Sequence, residues 1–426
     1  MRHATPTLNT PAALTAAALA FLPWVNPFAP GPSPTVVPWM ASAACALALW
    51  LMAVPSGVRI PRGLACCAVA LVLWGALWHP VRPELAMLAG GLLLILLAAG
   101  FAQAEGMARA LQAGVLAAAC ASTAMALLQY FGEAAAFAPL VSMAPAGQAY
   151  ANLRQPNQFA SLCCMGIAVL LWAPWRLPRP AALLLVLLLA VGSAASASRT
   201  AMLQGGLLIA LAFLWRGPQR RWRLALVAGA AVAYLAAVWM LPWLLELSHG
   251  APADRTLWKR VLADTGCSSR VVLWSNVLQL LALKPLAGWG WGNLDYAHYL
   301  TLYPGARFCD ILDNAHNLPL HLAVELGLPA AVLACVVGLA WAWRRQPWRE
   351  DQPTRQLAWA WIGLMLLHGM VEYPLWYGPF QIAFGAALGW LAHDALAAER
   401  GVDRPATALV LLLVPALAYA AWDYLR

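Results

Sequence analysis

PAALLLVLLLAVGSAA, residues Pro180 to Ala195, carries no charged side chain across sixteen positions. With its flanks and some tilt it is long enough to cross a hydrocarbon core of ~30 Å. Arg223 to Leu245 has the same character, with no acidic residue before Glu246. The whole 426-residue chain is 63% hydrophobic and 10% charged, with mean hydropathy +0.69. Too few charges are available to cover a soluble core, so lipid must be the solvent. Many of the 23 Trp residues stand near the ends of apolar runs, among them Trp24, Trp50, Trp78, Trp172, Trp215, Trp243 and Trp341. They read as interfacial belts, where an indole buries its ring and keeps its N–H wet.

The runs predict an all-α integral membrane protein, a polytopic bundle of about 12–13 transmembrane helices with one large periplasmic loop. The spans fall at roughly 12–25, 35–54, 63–79, 84–101, 109–130, 155–173, 180–196, 199–215, 223–246, 318–343, 356–372, 375–394 and 406–424. Ala12 to Val25 has no clear cleavage site and reads as a retained helix. No linker, low-complexity tail or internal repeat divides the chain, so residues 1–426 read as one domain, with 247–317 inserted between helices. The net charge of +9 is scattered between apolar runs, not gathered in a basic stripe, which excludes nucleic-acid binding.

With the amino terminus inside, sixteen of the 26 Lys and Arg fall on the cytoplasmic side, as the positive-inside rule expects. The other ten are Arg82, Arg154, Arg199, Arg255, Lys259, Arg260, Arg270, Lys284, Arg307 and Arg426, which this topology puts outside. They are either solvated loop charges or parts of a shared anion site. Three segments favour the site. Arg154 precedes Pro156, which belongs in a first helical turn; Arg199 follows Ser196-Ala-Ser198 in a tight hairpin; His316 precedes Asn317, a capping residue, and Pro319. All three lie at outer helix N-termini, whose free N–H groups and partial positive charge suit phosphate. The segment Leu247 to Ala315 holds six of the cations and the two cysteines expected outside the bilayer, Cys267 and Cys309. In an oxidising periplasm these two are expected to pair. Dispersed acids (Asp254, Asp264, Asp295, Asp310, Asp313) and histidines without zinc spacing predict no metal site.

Six segments, taken in order, resemble the motifs of the O-antigen ligase and bacterial protein O-oligosaccharyltransferase superfamily. They are Arg154-Gln-Pro-Asn-Gln158, Ser198-Arg-Thr200, Ser269-Arg-Val-Val-Leu-Trp274, Gly288-Trp-Gly-Trp-Gly292, His316-Asn-Leu-Pro-Leu-His321 and Glu372-Tyr-Pro-Leu375. The first and last look more like the branch that glycosylates pilins and other proteins. Larger members of that branch carry a further soluble region, and the chain is closer in length to compact ligases and short pilin-specific transferases.

The resemblance implies a bacterial inner-membrane glycosyltransferase with its active site facing the periplasm. It would move a glycan en bloc from undecaprenyl pyrophosphate to a hydroxyl of pilin, another periplasmic protein or lipid A core, without metal or cofactor. Such a reaction needs a base for the attacking alcohol and cations for two phosphates. His316 is expected to be the base, Arg270 and Arg199 to bind the pyrophosphate, and Arg154, Gln155, Gln158 and Tyr373 to hold donor or acceptor. Direct displacement would invert the anomeric centre. His321 pairs by helical spacing with Glu325 and reads as structural. His298 has no assigned role. Gly288, Gly290 and Gly292 read as turn formers that fold the loop over the site. Tyr373 and Trp376 are as readily interfacial anchors as ligands. A lipid-linked-glycan transporter would need charges along a full crossing path, which the spans lack; a repeat-unit polymerase would differ in acceptor.

Overall fold

The computed structural model describes residues 11–28, 36–56, 58–79, 83–249, 256–262 and 266–396. The expected thirteenth span at 406–424 lies outside these residues, as do Arg82, Arg255, Arg426, Asp254 and Asp264 and the side chain of Arg260. Among the described residues all regular structure is helical. The helices are α1 (Pro11–Val25), α2 (Val36–Ala53), α3 (Arg62–Trp78), α4 (Pro83–Phe101), α5 (Met107–Tyr130), α6 (Pro156–Trp172), α7 (Arg179–Ala195), α8 (Arg199–Leu214), α9 (Arg220–His249), α10 (Leu257–Leu262), α11 (Arg270–Leu283), α12 (Leu294–Leu300), α13 (Leu318–Leu326), α14 (Leu328–Arg345), α15 (Pro353–Gly369) and α16 (Gly378–Leu396). A helix stands at each of the first twelve expected positions, and five are long and apolar enough to cross a membrane.

The bundle core is built mainly from α1, α2, α4 to α9, α15 and α16, with Ala68 of α3 and Leu257 of α10 joining it. Lipid supplies no hydrophobic force between helices, so small residues that let backbones approach carry the packing. Gly385 and Gly389, one turn apart on α16, face the α4 backbone at Ile95 and Ala99, leaving no room for a Cβ. The outward faces stay apolar: Leu339 is 71% exposed, Val232 69% and Leu73 63%. Such surfaces suit acyl chains. The tryptophan reading needs correction at four positions. Trp24, Trp50, Trp172 and Trp215 are buried inside the protein, with Trp172 and Trp215 packed edge to face and Trp215 Nε1 donating to the Pro347 carbonyl at 2.7 Å. Helix ends here are covered by neighbouring helices, so proximity to a run's end does not imply contact with headgroups.

The expected continuous span 318–343 is broken at Gly327 into α13 and α14. A break at membrane depth frees backbone groups that lipid cannot satisfy. The Gly-Trp-Gly-Trp-Gly loop satisfies them: Trp289 N–H donates to Val324 O and Gly290 N–H to Glu325 O, both at 2.9 Å, while Trp74 Nε1 caps Leu326 O at 2.7 Å. This loop therefore closes over the broken helix. Its approach requires glycine on both sides. A Cβ on Gly327 (φ 88°) would run into the Leu286 carbonyl, and one on Gly288 (φ 69°) into the backbone of Glu325 and Gly327. Gly327→Ala is expected to lower stability by about 1–3 kcal/mol through left-handed strain plus the collision. A thermal unfolding curve in detergent that superposes on wild type would refute this.

The inserted segment is not a plain loop. It contains α10, α11 and α12, and a second hydrophobic cluster forms from Leu273, Val277, Leu280, Leu294, Phe308 and Leu312 with Val324 of α13. Cys267 and Cys309 are joined by a disulfide, and the seven other cysteines lie in α2, α3, α5, α6 and α14.

Candidate functional site

Four helix starts meet at one end of the bundle, each held by its own cap. The Gln155 side chain accepts from Gln158 N–H at 2.9 Å to open α6, and Ser198 Oγ accepts from Ala201 N–H at 3.2 Å to open α8. Ser269 Oγ accepts from Val272 N–H to open α11, and Asn317 Oδ1 from Leu320 N–H to open α13. Arg270 thus begins a helix inside a segment expected from the sequence to be loop. Residues in left-handed backbone conformations mark the same end: Ala151, Arg154, Ala197 and His316 are four of the five non-glycine residues with positive φ among the described residues. Strain of this kind, of order 1–3 kcal/mol each, persists where surroundings over-determine the conformation.

The centre is a carboxylate, Glu372, that stands in the Glu-Tyr-Pro-Leu motif without a role expected from sequence. Glu372 follows the end of α15; its Oε1 accepts from Arg270 Nη2 at 2.7 Å and its Oε2 from His316 Nδ1 at 2.7 Å. Asn157 Nδ2 donates to Oε1 at 3.2 Å, and Ser198 Oγ donates to Asn157 Oδ1 at 2.6 Å. Five of the six motifs are thereby joined through side chains. The sixth supports them indirectly: Gly292 N–H donates to Glu325 Oε2 at 3.0 Å, and His321 Nε2 donates to the same oxygen at 3.1 Å. His321 Nδ1 accepts from Ala315 N–H at 3.3 Å, and Trp274 Nε1 donates to Ala315 O at 3.0 Å, fixing the residue before His316 from two sides.

Electrostatics define the proton positions. Burial alone would raise the Glu372 carboxyl, but the His316 hydrogen bond and the charges of His316 and Arg270 outweigh it and hold it below the ordinary value. Glu372 is then ionised, so Nδ1 of His316 carries the proton and donates. Arg270 Nη2 lies 2.9 Å from Nδ1; both are donors that share the carboxylate. Nε2 makes no hydrogen bond among the described residues and is the free end of the ring; in the neutral imidazole it carries the lone pair. The Tyr373 ring meets the His316 ring at 5.0 Å. Burial and the negative charges of Asp313 and Glu372 push its phenol up to about 12, so it remains a donor. Tyr377 bonds to both Tyr373 and Gln158.

A lowered carboxyl contributes stability that is present above its unfolded value and lost as pH falls through its folded value. The cluster should therefore be intact at pH 7 and pH 5, and unfolding temperature should begin to drop only below about pH 4.5. Glu372→Gln should remove part of that acid limb. Superposable wild-type and variant limbs between pH 3 and 6 would show that the ion pairs add nothing.

The other expected ligands are placed unevenly. Arg154, three residues before Asn157, has a buried Nε with no hydrogen-bond partner. Arg199 is exposed at the first position of α8, beside Ser198 but outside the Glu372 cluster. The Gln155 oxygen is committed to capping. Arg307 is spent on the Thr301 and His298 carbonyls, and Lys284 lies over the Trp289 ring at 4.0 Å. His298 bridges the Tyr303 hydroxyl and the Phe308 carbonyl inside the second cluster. Among the described residues no three His, Cys, Asp or Glu side chains converge as metal ligands.

Three family profiles match segments that together contain this cluster. An O-antigen ligase profile covers residues 183–335, a protein glycosylation ligase profile 149–172, and the C-terminal profile of a virulence-factor membrane-bound polymerase 356–426. Arg199, Arg270 and His316 fall in the first, Arg154 to Gln158 in the second and Glu372 in the third. Over these segments the chain is similar to the O-antigen ligase and O-oligosaccharyltransferase superfamily. Similar relatives include the ComP-specific O-oligosaccharyltransferase of Acinetobacter baylyi, 24% identical over 248 residues (58% of this chain, 44% of the relative). The general O-oligosaccharyltransferase of the same organism is 23% identical over 251 residues (56% and 43%). The matched region therefore spans less than half the length of either relative. This chain is a multi-pass α-helical membrane protein, similar in these segments to glycosyltransferases of the ligase type.

Proposed function

We propose that this protein is an inner-membrane O-oligosaccharyltransferase that moves a glycan en bloc from undecaprenyl pyrophosphate to a Ser or Thr hydroxyl of pilin or another periplasmic protein. The observation that carries the reading is the Glu372–His316–Arg270 cluster, with an imidazole nitrogen free beside a guanidinium. In this mechanism the acceptor O–H gives its proton to His316 Nε2 as its oxygen attacks the anomeric carbon. The bond from that carbon to the pyrophosphate oxygen breaks, and undecaprenyl pyrophosphate leaves with the bonding pair. The imidazolium formed is stabilised by Glu372 across Nδ1–H and later loses its proton to water. In this reading Arg270, Arg199 and Arg154 are assigned to neutralise the growing phosphate charge, a task that suits arginine by its permanent charge and forked geometry. Gln158 and Tyr373 supply donors for sugar or phosphate oxygens. Attack opposite the leaving group inverts the anomeric centre, and no metal is required to make pyrophosphate leave.

A second reading, transfer to lipid A core, is favoured by the O-antigen ligase match over residues 183–335. The deciding experiment offers purified protein a defined undecaprenyl-pyrophosphate glycan in the presence of EDTA, with pilin and lipid A core side by side. Modified pilin supports the proposal, modified lipid alone selects the second reading, and transfer to neither rejects both. Extension of a second lipid-linked glycan would instead identify a polymerase.

A further inference from the structure

The other end of α6 carries a cavity that the reaction does not use. Asn157, in the candidate site, is in the first turn of this 17-residue helix, and Val169 to Leu171, which line the cavity, are in its last. At 1.5 Å per residue the two lie roughly 20 Å apart along the bundle. The cavity is about 190 Å³, room for on the order of a dozen water-sized spheres and so for a phosphate with part of its ester.

Its lining includes Arg176, Arg179 and Arg223 together with Trp175 and Trp222, and it contains no Asp or Glu. Arg223 is buried, with Nε donating to Leu171 O and Nη1 to Gln356 Oε1, both at 3.0 Å. Those acceptors hold the guanidinium plane but bring no negative charge. The carboxylate closest by hydrogen bonding is Glu350, whose backbone carbonyl accepts from Gln356; its Oε2 is taken by Arg355 at 2.9 Å and its Oε1 by Gln352 N–H at 3.2 Å. Arg179 stacks over the Trp222 ring at 5.5 Å, which fixes its stem while its N–H groups remain available. Three cations, one of them buried, converge on an open space without a counter-charge. A buried charge in that condition is costly unless an anion enters.

We infer that this cavity binds the phosphate of an anionic phospholipid headgroup in the leaflet opposite the candidate active site. Arginines supply forked contacts to phosphate oxygens, and the two indoles supply the amphipathic walls found where headgroup meets acyl chain. A free phosphate would satisfy the same cations but would gain nothing from the apolar wall of Leu170, Leu171, Leu177 and Ala182. The inference rests on the membrane location of the chain and not on the transferase reading.

The test uses the purified full chain in detergent, titrated with phosphatidylglycerol, phosphatidylcholine or inorganic phosphate. Retained lipid is counted by native mass spectrometry, and unfolding temperature is followed in parallel. Wild type is compared with Arg176→Gln/Arg179→Gln and with Arg344→Gln/Arg345→Gln, a basic pair at the end of α14 that does not line the cavity. Phosphatidylglycerol should bind and stabilise wild type and the α14 variant alike, and the cavity variant should bind it roughly tenfold or more weakly. Both changed arginines are exposed, so folding should survive; Arg223→Lys gives a second variant in which the charge stays and the fork is lost, with the same direction of effect. Equal retention of phosphatidylcholine, equal loss in the α14 variant, or protection by inorganic phosphate matching that of the lipid would each overturn the inference.

Discussion

His316→Ala is expected to abolish measurable glycan transfer, lowering kcat by about 10²–10⁴-fold, the usual contribution of a positioned general base. The geometry gives the reason. Nδ1 is committed to Glu372 at 2.7 Å, which leaves Nε2 as the acceptor for the alcohol proton; His368, the other imidazole near Glu372, is fully buried and bonded to Ser161 Oγ through Nδ1. His321 is held by Ala315 N–H and Glu325, so it cannot substitute. Donor binding should be nearly unchanged because Arg270 remains, now paired with Glu372 alone. The measurement is single-turnover transfer from saturating lipid-linked glycan, with donor affinity determined separately. Transfer within about threefold of wild type would remove His316 from the chemistry.

Glu372→Gln is expected to fall nearly as far, by about 10²–10⁴ in kcat with little change in KM, while the protein stays folded. A carboxamide nearly matches the carboxylate in shape, so loss of function would report its charge and acceptor capacity. Only the carboxylate can accept from Arg270 and His316 at once, one oxygen to each. With an amide, one of the two partners faces an NH₂ group, and His316 loses the anion that stabilises its protonated form. Neutralising the acid behind a catalytic histidine in serine hydrolases costs about 10⁴-fold, because the amide leaves the imidazole in the wrong tautomer. Glu372→Asp should recover part of the rate. A purely structural role would instead lower unfolding temperature and leave kcat of the surviving protein intact, and that split decides between the two.

Helical class and the sequence positions of the first twelve helices were legible because long apolar runs leave a chain few options in lipid. The helix starts were equally open to reading, since Pro156, Ser198 and Asn317 have capping and first-turn chemistry that acts locally. The break at Gly327 was hidden inside an apolar run; what makes it tolerable is hydrogen bonding from Trp289 and Gly290, some 37 residues earlier. Arg270 and His316 were identifiable as chemistry-bearing residues, whereas Glu372 was not singled out. An acid at the end of a span looks like an ordinary solvated terminus until its partners, 102 and 56 residues away, are known. One signal existed: an acidic residue is rarely placed beside an apolar helix of this kind without a cation to meet it. Trp172 and Trp215 show the opposite limit, because a tryptophan at a helix end is buried or wet according to neighbours that a single run does not reveal.

The two hydrophobic clusters give the catalytic arrangement a timing. Arg270 opens the helix whose Leu273, Val277 and Leu280 build the smaller cluster, while Glu372 hangs from a helix of the larger one. The guanidinium–carboxylate bond therefore comes into being only after two separate cores have formed and docked. During biosynthesis, a nascent chain whose bundle is complete but whose inserted segment is still unfolded holds Glu372 and Arg199 yet has neither Arg270 nor His316 in place. On this architecture the docking of the inserted segment and the completion of the Glu372 cluster are one event, so a copy with an undocked segment lacks the ion pair altogether.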